Sequence, residues 1–290
     1  MLHSLSESSG MAAVQLATLC HLRAPGSRAL AEEVPVALVY NHATYAVMMA
    51  TPAELEDFAL GFSLTEGIVE AADEIQELSV LPHPNGIELR MELAEHRHDA
   101  LLRRRRRLAG PIGCGLCGIE SLDAALRTVP PVSGGTQIAA SDIRDAMSGM
   151  EAGQALHRAT RCAHAAGFWH GQRGILAVRE DVGRHNALDK LAGSLARMSV
   201  TPNSGAVVLT SRVSVEMVQK TAMMGTTILI AVSAPTAMAI RLAQDCGITL
   251  VSGVRGNQHE VFTHPERVVG SIIQQSYNPP SPQDPPRHHA

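Results

Sequence analysis

The chain has 290 residues, enough for about two domains; 45% are hydrophobic and only 3% aromatic, so its cores must rest on aliphatic side chains. Lysine and arginine number 24 against 28 aspartates and glutamates, a net charge of −4, which excludes the basic excess of a general nucleic-acid binder. Five cysteines spread over this length exclude a disulfide-stapled secreted scaffold. With no apolar run near the ~18 residues of a membrane span and no signal-peptide pattern, the expectation is a soluble cytoplasmic protein with reduced thiols.

Residues 1–30 are rich in Ser, Ala and Gly and read as a flexible tail. An α+β N-terminal domain is expected over 31–110. EVPVALVY (33–40) and TYAVMMA (44–50) read as a hairpin turning at Asn41-His42. Thr51-Pro52-Ala53-Glu54 reads as a helix start, with Thr51 as cap, Pro52 at the first position and Glu54 completing a capping box. Leu55, Phe58, Ala59 and Phe62 follow at helical spacing and should face a core; Gly67 ends the helix. IQELSVL (75–81) and GIELRMEL (86–93) read as further strands.

The texture changes over about 99–135: DALLRRRRRLAG (99–110) is a basic helix candidate, and residues 111–135, from within GPIGCGLCGIE to the closing PPVSGG, read as a mobile loop and linker. From 136 to 276 a three-layer α/β domain is expected. GILAVRE, GAVVLT, TILIAVS and ITLV are strand-like and alternate with NALDKLAGSLARM, VSVEMVQKTAMM and TAMAIRLAQDC. That alternation is the mark of βαβ units and a largely parallel, buried sheet. The Pro-rich end, 277–290, cannot form regular structure.

Three features bear chemistry. Cys114 and Cys117 in GCGLCG can share a metal, cycle through a disulfide or carry a sulfur atom, and the residues alone leave these alternatives open. A structural zinc site usually wants a second pair of ligands, and Cys20, Cys162 and Cys246 are isolated. The surrounding glycines keep a loop adaptable, and arginines 103–107 upstream favour the thiolate; Cys117, closer to the helix candidate GIESLDAAL, has the better claim to a low pKa. The second feature is REDVGRHNALDK (179–190), between a strand and a helix. Thr210-Ser211-Arg212, Ser233-Ala234-Pro235-Thr236 and Gly253-Val254-Arg255-Gly256-Asn257 share its position after a strand. Such strand ends bind ligands in doubly wound sheets, and helix N-termini with arginines suit a nucleotide-like anion. Ser211 and Ser233 as plain helix caps, and His185 as a structural histidine, are the alternatives. Third, Cys162-Ala163-His164-Ala165-Ala166 lacks the glutamate of zinc deaminases, since Ala166 stands in its place, so deamination is not expected.

With EEVPVALVYN, MMATPAELEDFALGFSLTEGI, GPIGCGLCGIE, HAA, REDVGRHNALDK, TSRVSVEMVQKTA, AVSAPTAMAI and TLVSGVRGN running in order from about residue 32 to about 265, the chain resembles the FdhD family of formate dehydrogenase accessory proteins. That resemblance implies a cytidine-deaminase-like C-terminal domain and a homodimer. It implies a sulfurtransferase: a cysteine desulfurase donates persulfide sulfur to the CxxC, with Cys114 as usual carrier, and the sulfur passes to the molybdenum or tungsten bis(guanine dinucleotide) cofactor before it enters the formate dehydrogenase catalytic subunit. It places cofactor binding on Gly253, Val254, Arg255, Gly256, Asn257 and Gln258, with GDP or GMP as partial mimics. No metal or cofactor of the protein's own is implied. Two departures stand out: Arg161 and Cys162 replace usual glycines, and Ser252-Gly253 replaces a Gly-Phe pair, removing an aromatic that could stack on guanine. The alternatives to sulfur transfer are a cofactor-binding chaperone and a dithiol redox protein.

Overall fold

The computed structural model describes residues 13–19, 26–97, 101, 129–256 and 258–270. In the N-terminal part a mixed four-stranded sheet has the order β4-β3-β6-β5, from β3 (Val34–Tyr40), β4 (Ala43–Ala50), β5 (Ile75–His83) and β6 (Gly86–Leu93). The expected hairpin is there, with Asn41 and His42 at positive φ in its turn. Helix α1 (Leu55–Thr65) lays Leu55, Phe58, Ala59 and Phe62 against Val36, Leu38, Leu89 and Met91, as its 3.6-residue spacing predicts. Leu101 closes the same core.

Two expectations fail here. Val14–Leu19 (β1) and Gly26–Ala31 (β2) form a two-stranded antiparallel sheet within the segment read as a tail. Arg28 on β2 donates to the carbonyl of Thr160, which ties the hairpin to the C-terminal part. The helix start is also displaced: α1 begins at Leu55, and Glu54 precedes it in a left-handed conformation (φ 47°) with no side-chain cap. Thr51 caps nothing, because its hydroxyl and N–H bond across to the other half of the molecule.

The C-terminal part is a six-stranded sheet of order β13-β12-β11-β10-β8-β9 with helices on both faces. Its strands are β8 (His164–His170), β9 (Gly174–Asp181), β10 (Gly205–Leu209), β11 (Ile228–Ala231), β12 (Thr249–Arg255) and β13 (Gln258–Val261). Only the β10–β11 and β11–β12 pairs are parallel; β8, β9 and β13 join antiparallel. The sheet is therefore mixed rather than largely parallel: β8 and β13 were not foreseen and both reverse direction. Val207 and Leu209 point to one face, Ala206 and Val208 to the other, and both faces are buried, so β10 reads as an unbroken apolar run. Helices α4 (Arg184–Arg197), α5 (Val215–Met224) and α6 (Ala237–Cys246) cover the first face, and α2 (Ala140–Gly153) covers the second. A short α3 (Ala155–Thr160) leads into β8. Short β7 (Ile138–Ala139) and β14 (Val268–Val269) pair in parallel beside this unit.

Val129 is buried in the core beneath α4–α6, and Val132 packs there and donates its N–H to the carbonyl of Cys246 at 2.8 Å. The chain is thus already part of the C-terminal unit before residue 136. The two halves meet where α1 crosses α4, and α1 is buried on both sides because it lies between its own sheet and that helix.

Candidate functional site

Strand direction gathers the predicted segments. The parallel strands β10–β12 finish at one edge of the sheet. Antiparallel β8 begins there, with His164 opposite Asp181 at the end of β9 and Ala166 opposite Leu209. His164, Asp181–His185, Thr210–Arg212, Ser233–Thr236 and the end of β12 therefore share one edge. Helices α4, α5 and α6 start on it, at Gly183, Ser214 and Thr236. Of these three residues only Thr236 caps its helix, accepting from the Ala239 N–H at 3.2 Å. Neither Ser211 nor Ser233 is a cap: the Ser211 hydroxyl donates to the Arg212 carbonyl, and the Ser233 carbonyl accepts from the Ser252 hydroxyl.

The edge is suited to an anion. Helix N-termini carry partial positive charge, and Arg212 and Arg255 are exposed with no ion pair among the described residues. Arg184, the first residue of α4, has a buried Nε without a hydrogen-bond partner among them. Two histidines there resist protonation. Burial, then Arg184 and Lys220, pull His185 down to about 4, against the pull of Glu216, whose Oε2 lies 3.8 Å from its Nε2. Burial, Arg184 and His157 lower His164 in the same direction, opposed by Asp181. At neutral pH the edge thus presents guanidinium charge beside neutral imidazoles. Among the described residues no three His, Cys, Asp or Glu side chains converge as a metal would require.

The segment after the last parallel strand departs from expectation. β12 does not stop at Val251 but continues to Arg255 through a register shift between Ser252 and Arg255. Arg255 then pairs with Gln258, so Gly253–Arg255 is the bulged end of a strand paired with β13 rather than part of a free loop. Gly253 (φ 66°) makes the bulge, in the left-handed region that glycine enters without cost. The Val254 side chain is buried in the core under α2, which leaves only its backbone for a ligand to meet. Arg255, Gly256 and Gln258 are exposed; Asn257 lies outside the described residues.

REDVGRHNALDK turns out to be largely structural. The Asp181 carboxylate is fully buried and takes four donors: Lys190 Nζ at 2.7 Å, the Thr51 N–H at 3.0 Å, the Gly183 N–H at 2.8 Å and Asn186 Nδ2 at 3.0 Å. Arg179 and Arg197 bind the two oxygens of buried Asp57 at 2.7 and 2.9 Å. Asp189 pairs with Lys220, which also reaches Glu66 and Thr65. Glu180 receives the Leu156 and His157 N–H groups at the start of α3. The sequence analysis assigns no role to Asp57 or Lys220, and it assigns Thr51 a cap instead of this contact. The available signal was a carboxylate and an ammonium on otherwise apolar helix faces, since buried charges are paired. Nearby Glu54 is left with a carboxyl raised above its ordinary value by burial, against the opposing effect of Lys190 and Arg179.

Cys114, Cys117 and Cys20 lie outside the described residues, as do arginines 103–107. Cys246 is buried against the core, and Cys162 is exposed. A cavity of about 270 Å³ lies elsewhere, between α1 and β5, lined by Glu56, Leu60, Ile75, Leu78 and Arg197. No helix among the described residues is long and apolar enough to cross a membrane.

Comparison with known proteins agrees across three measures. The model of the FdhD/NarQ family matches residues 31–269. A protein of Agrobacterium fabrum named "Sulfur carrier protein FdhD" is 52% identical over 247 residues, covering 85% of this chain and 91% of the relative. One of the same name from Cupriavidus necator is 50% identical over 239 residues, covering 82% and 83%. The crystal structure of a Desulfotalea psychrophila protein, described as a formate dehydrogenase accessory protein, superposes with a TM-score of 0.69 at 27% identity, covering 88% of this chain and 98% of that one.

Proposed function

The chain belongs to the FdhD/NarQ family, and on that premise we propose that it is a cytoplasmic sulfur carrier, a sulfurtransferase serving formate dehydrogenase. The relatives named as sulfur carriers carry this reading, and the GCGLCG segment supplies its chemistry. The Cys114 thiolate attacks the terminal sulfur of a persulfide on a cysteine desulfurase. The donor's S–S bond breaks, the donor leaves as thiolate, and Cys114 holds the sulfur as a persulfide. In delivery the Cys117 thiolate attacks the Cys114 sulfur. The terminal atom leaves as sulfide to become a ligand of the molybdenum or tungsten in the client bis(guanine dinucleotide) cofactor. A Cys114–Cys117 disulfide remains, and a dithiol reductant returns it to two thiols as the reductant itself becomes a disulfide.

The cofactor is cargo, destined for the catalytic subunit of formate dehydrogenase, and the sheet edge is its seat in this reading. Phosphates suit the α4–α6 N-termini and the guanidinium groups of Arg184, Arg212 and Arg255. Gly253, Val254, Gly256 and Gln258 offer backbone close to the ligand. β9 and β12 stand four strand spacings apart, roughly 19 Å, so the edge has room for a dinucleotide. The same edge would serve a cofactor chaperone without thiol chemistry, and we place the protein as a homodimer in either case.

Mass spectrometry after incubation with an active cysteine desulfurase and cysteine separates the two. The expected result is a gain of one sulfur on the peptide containing Cys114 and Cys117, lost in C114A. GDP binding without any such gain would overturn the carrier and leave the chaperone.

A further inference from the structure

The connection between β4 and α1 belongs to the N-terminal half, yet its Thr51 bonds to the other one. The Thr51 N–H donates to Asp181 Oδ2 at 3.0 Å, its Oγ1 accepts from the Val182 N–H at 3.2 Å, and its carbonyl accepts from Lys190 Nζ at 3.0 Å. Two residues earlier, the Met49 carbonyl accepts from Asn186 Nδ2 at 2.8 Å. Thr51, Asp181, Asn186 and Lys190 are all buried. Each of these bonds ends on the turn that closes β9 or on the first two turns of α4. That turn carries Arg184 and His185 to the sheet edge.

We propose that Thr51 is a positioning residue: it fixes the Val182–His185 turn from the opposite domain, so that the edge is complete only with the two halves docked. This rests on the reading of the edge as the cofactor seat. A buried hydroxyl with one acceptor bond to a backbone N–H is replaceable by Ser, which keeps the oxygen, and not by Val, which keeps the shape and orphans the Val182 N–H.

The test compares T51V and T51S with wild type by amide hydrogen exchange and by calorimetric titration with GDP. In T51V, exchange should speed up at residues 182–185 ahead of the rest of the chain. Its GDP affinity should fall about fivefold, the worth of roughly one hydrogen bond, while T51S stays within about twofold of wild type on the same scale. Wild-type affinity in T51V, equal losses in T51V and T51S, or exchange that rises uniformly over the chain would each overturn the proposal. If T51V does not fold, N186A, which removes the bonds to Met49 and Asp181, is judged by the same criteria. A wild-type protein that binds no GDP sinks the cofactor seat instead; the exchange data then still decide whether Thr51 holds the turn.

Discussion

Gly61 of α1 and Gly193 of α4 face each other where the two halves of the molecule cross. A Cβ added at Gly61 would lie 1.6 Å from the carbonyl oxygen of Asp189, and one at Gly193 would lie 1.9 Å from that of Asp57. The backbones touch with no side chain between them.

Alanine at either position therefore has to push two helices apart. Overpacking usually costs about 1–3 kcal/mol, and G61A and G193A should reach or exceed the upper end because the obstacle is backbone. Urea denaturation monitored by circular dichroism measures it. A loss below about 1 kcal/mol would mean that the helices separate easily.

Lys220 is buried and reaches Asp189 at 2.8 Å and Glu66 at 2.9 Å, with the Phe62 ring centroid 5.4 Å away. Burial disfavours its charge, but the two carboxylates outweigh it and hold the ammonium above its ordinary value. K220M strands the Asp189 carboxylate and should cost about 3–5 kcal/mol. The double variant K220M/D189N removes the orphaned charge and should recover part of that loss. A double variant no more stable than K220M in the same denaturation would refute the pairing.

His185 should remain neutral well below the usual histidine range. Its folded-state pKa lies near 4, below the unfolded value of about 6.5. Its contribution to stability is thus complete above about pH 6.5 and is lost as pH falls toward 4. An NMR titration of its Cε1 proton should show a midpoint under 5. Because Glu216 raises that midpoint, E216Q should move it further down; an upward move would contradict the assignment.

Arg255 leaves the end of β12 exposed and without an ion pair among the described residues. If it meets a phosphate of the guanine dinucleotide, R255A should lose about 1.5–3 kcal/mol of GDP binding, roughly ten- to a hundredfold in affinity. Persulfide loading of Cys114 should be unchanged, since that step needs only the thiol and its donor. Calorimetry with GDP reads the first effect and mass spectrometry the second. Unaltered affinity removes Arg255 from the seat.

Periodicity made much of this molecule legible beforehand. The alternation in GIELRMEL, the apolar runs of β10–β12 and the Leu55-Phe58-Phe62 stripe each declare their element and buried face. What it concealed was partnership at long range. Thr51-Pro52-Ala53-Glu54 carries every local sign of a helix start, but its hydroxyl is claimed by an N–H 131 residues away, and no local pattern records that competition. REDVGRHNALDK likewise reads as a ligand loop because its charges are dense. Several of them are paired with Asp57 and Lys220 or hydrogen-bonded to Thr51, all from other segments. The strand HAAGFWH passed unrecognised because Ala and Gly have little strand preference, and the mixed sheet followed from that omission. The shared sheet edge was foreseen correctly, since it depends only on strand ends.

Leu101 and Val129 also set a radius of action. Each is fixed in one of two cores that are locked together at Gly61 and Gly193. Cys114 comes thirteen residues after the first anchor and Cys117 twelve before the second. At no more than about 3.5 Å per residue, neither thiol can travel beyond roughly 45 Å from its nearer anchor, whatever path the chain takes. Because Cys114 both receives and releases the sulfur in the proposed mechanism, donor and cofactor must each come within about 45 Å of Leu101. Sulfur transfer over a greater span would require the whole carrier to dissociate and rebind.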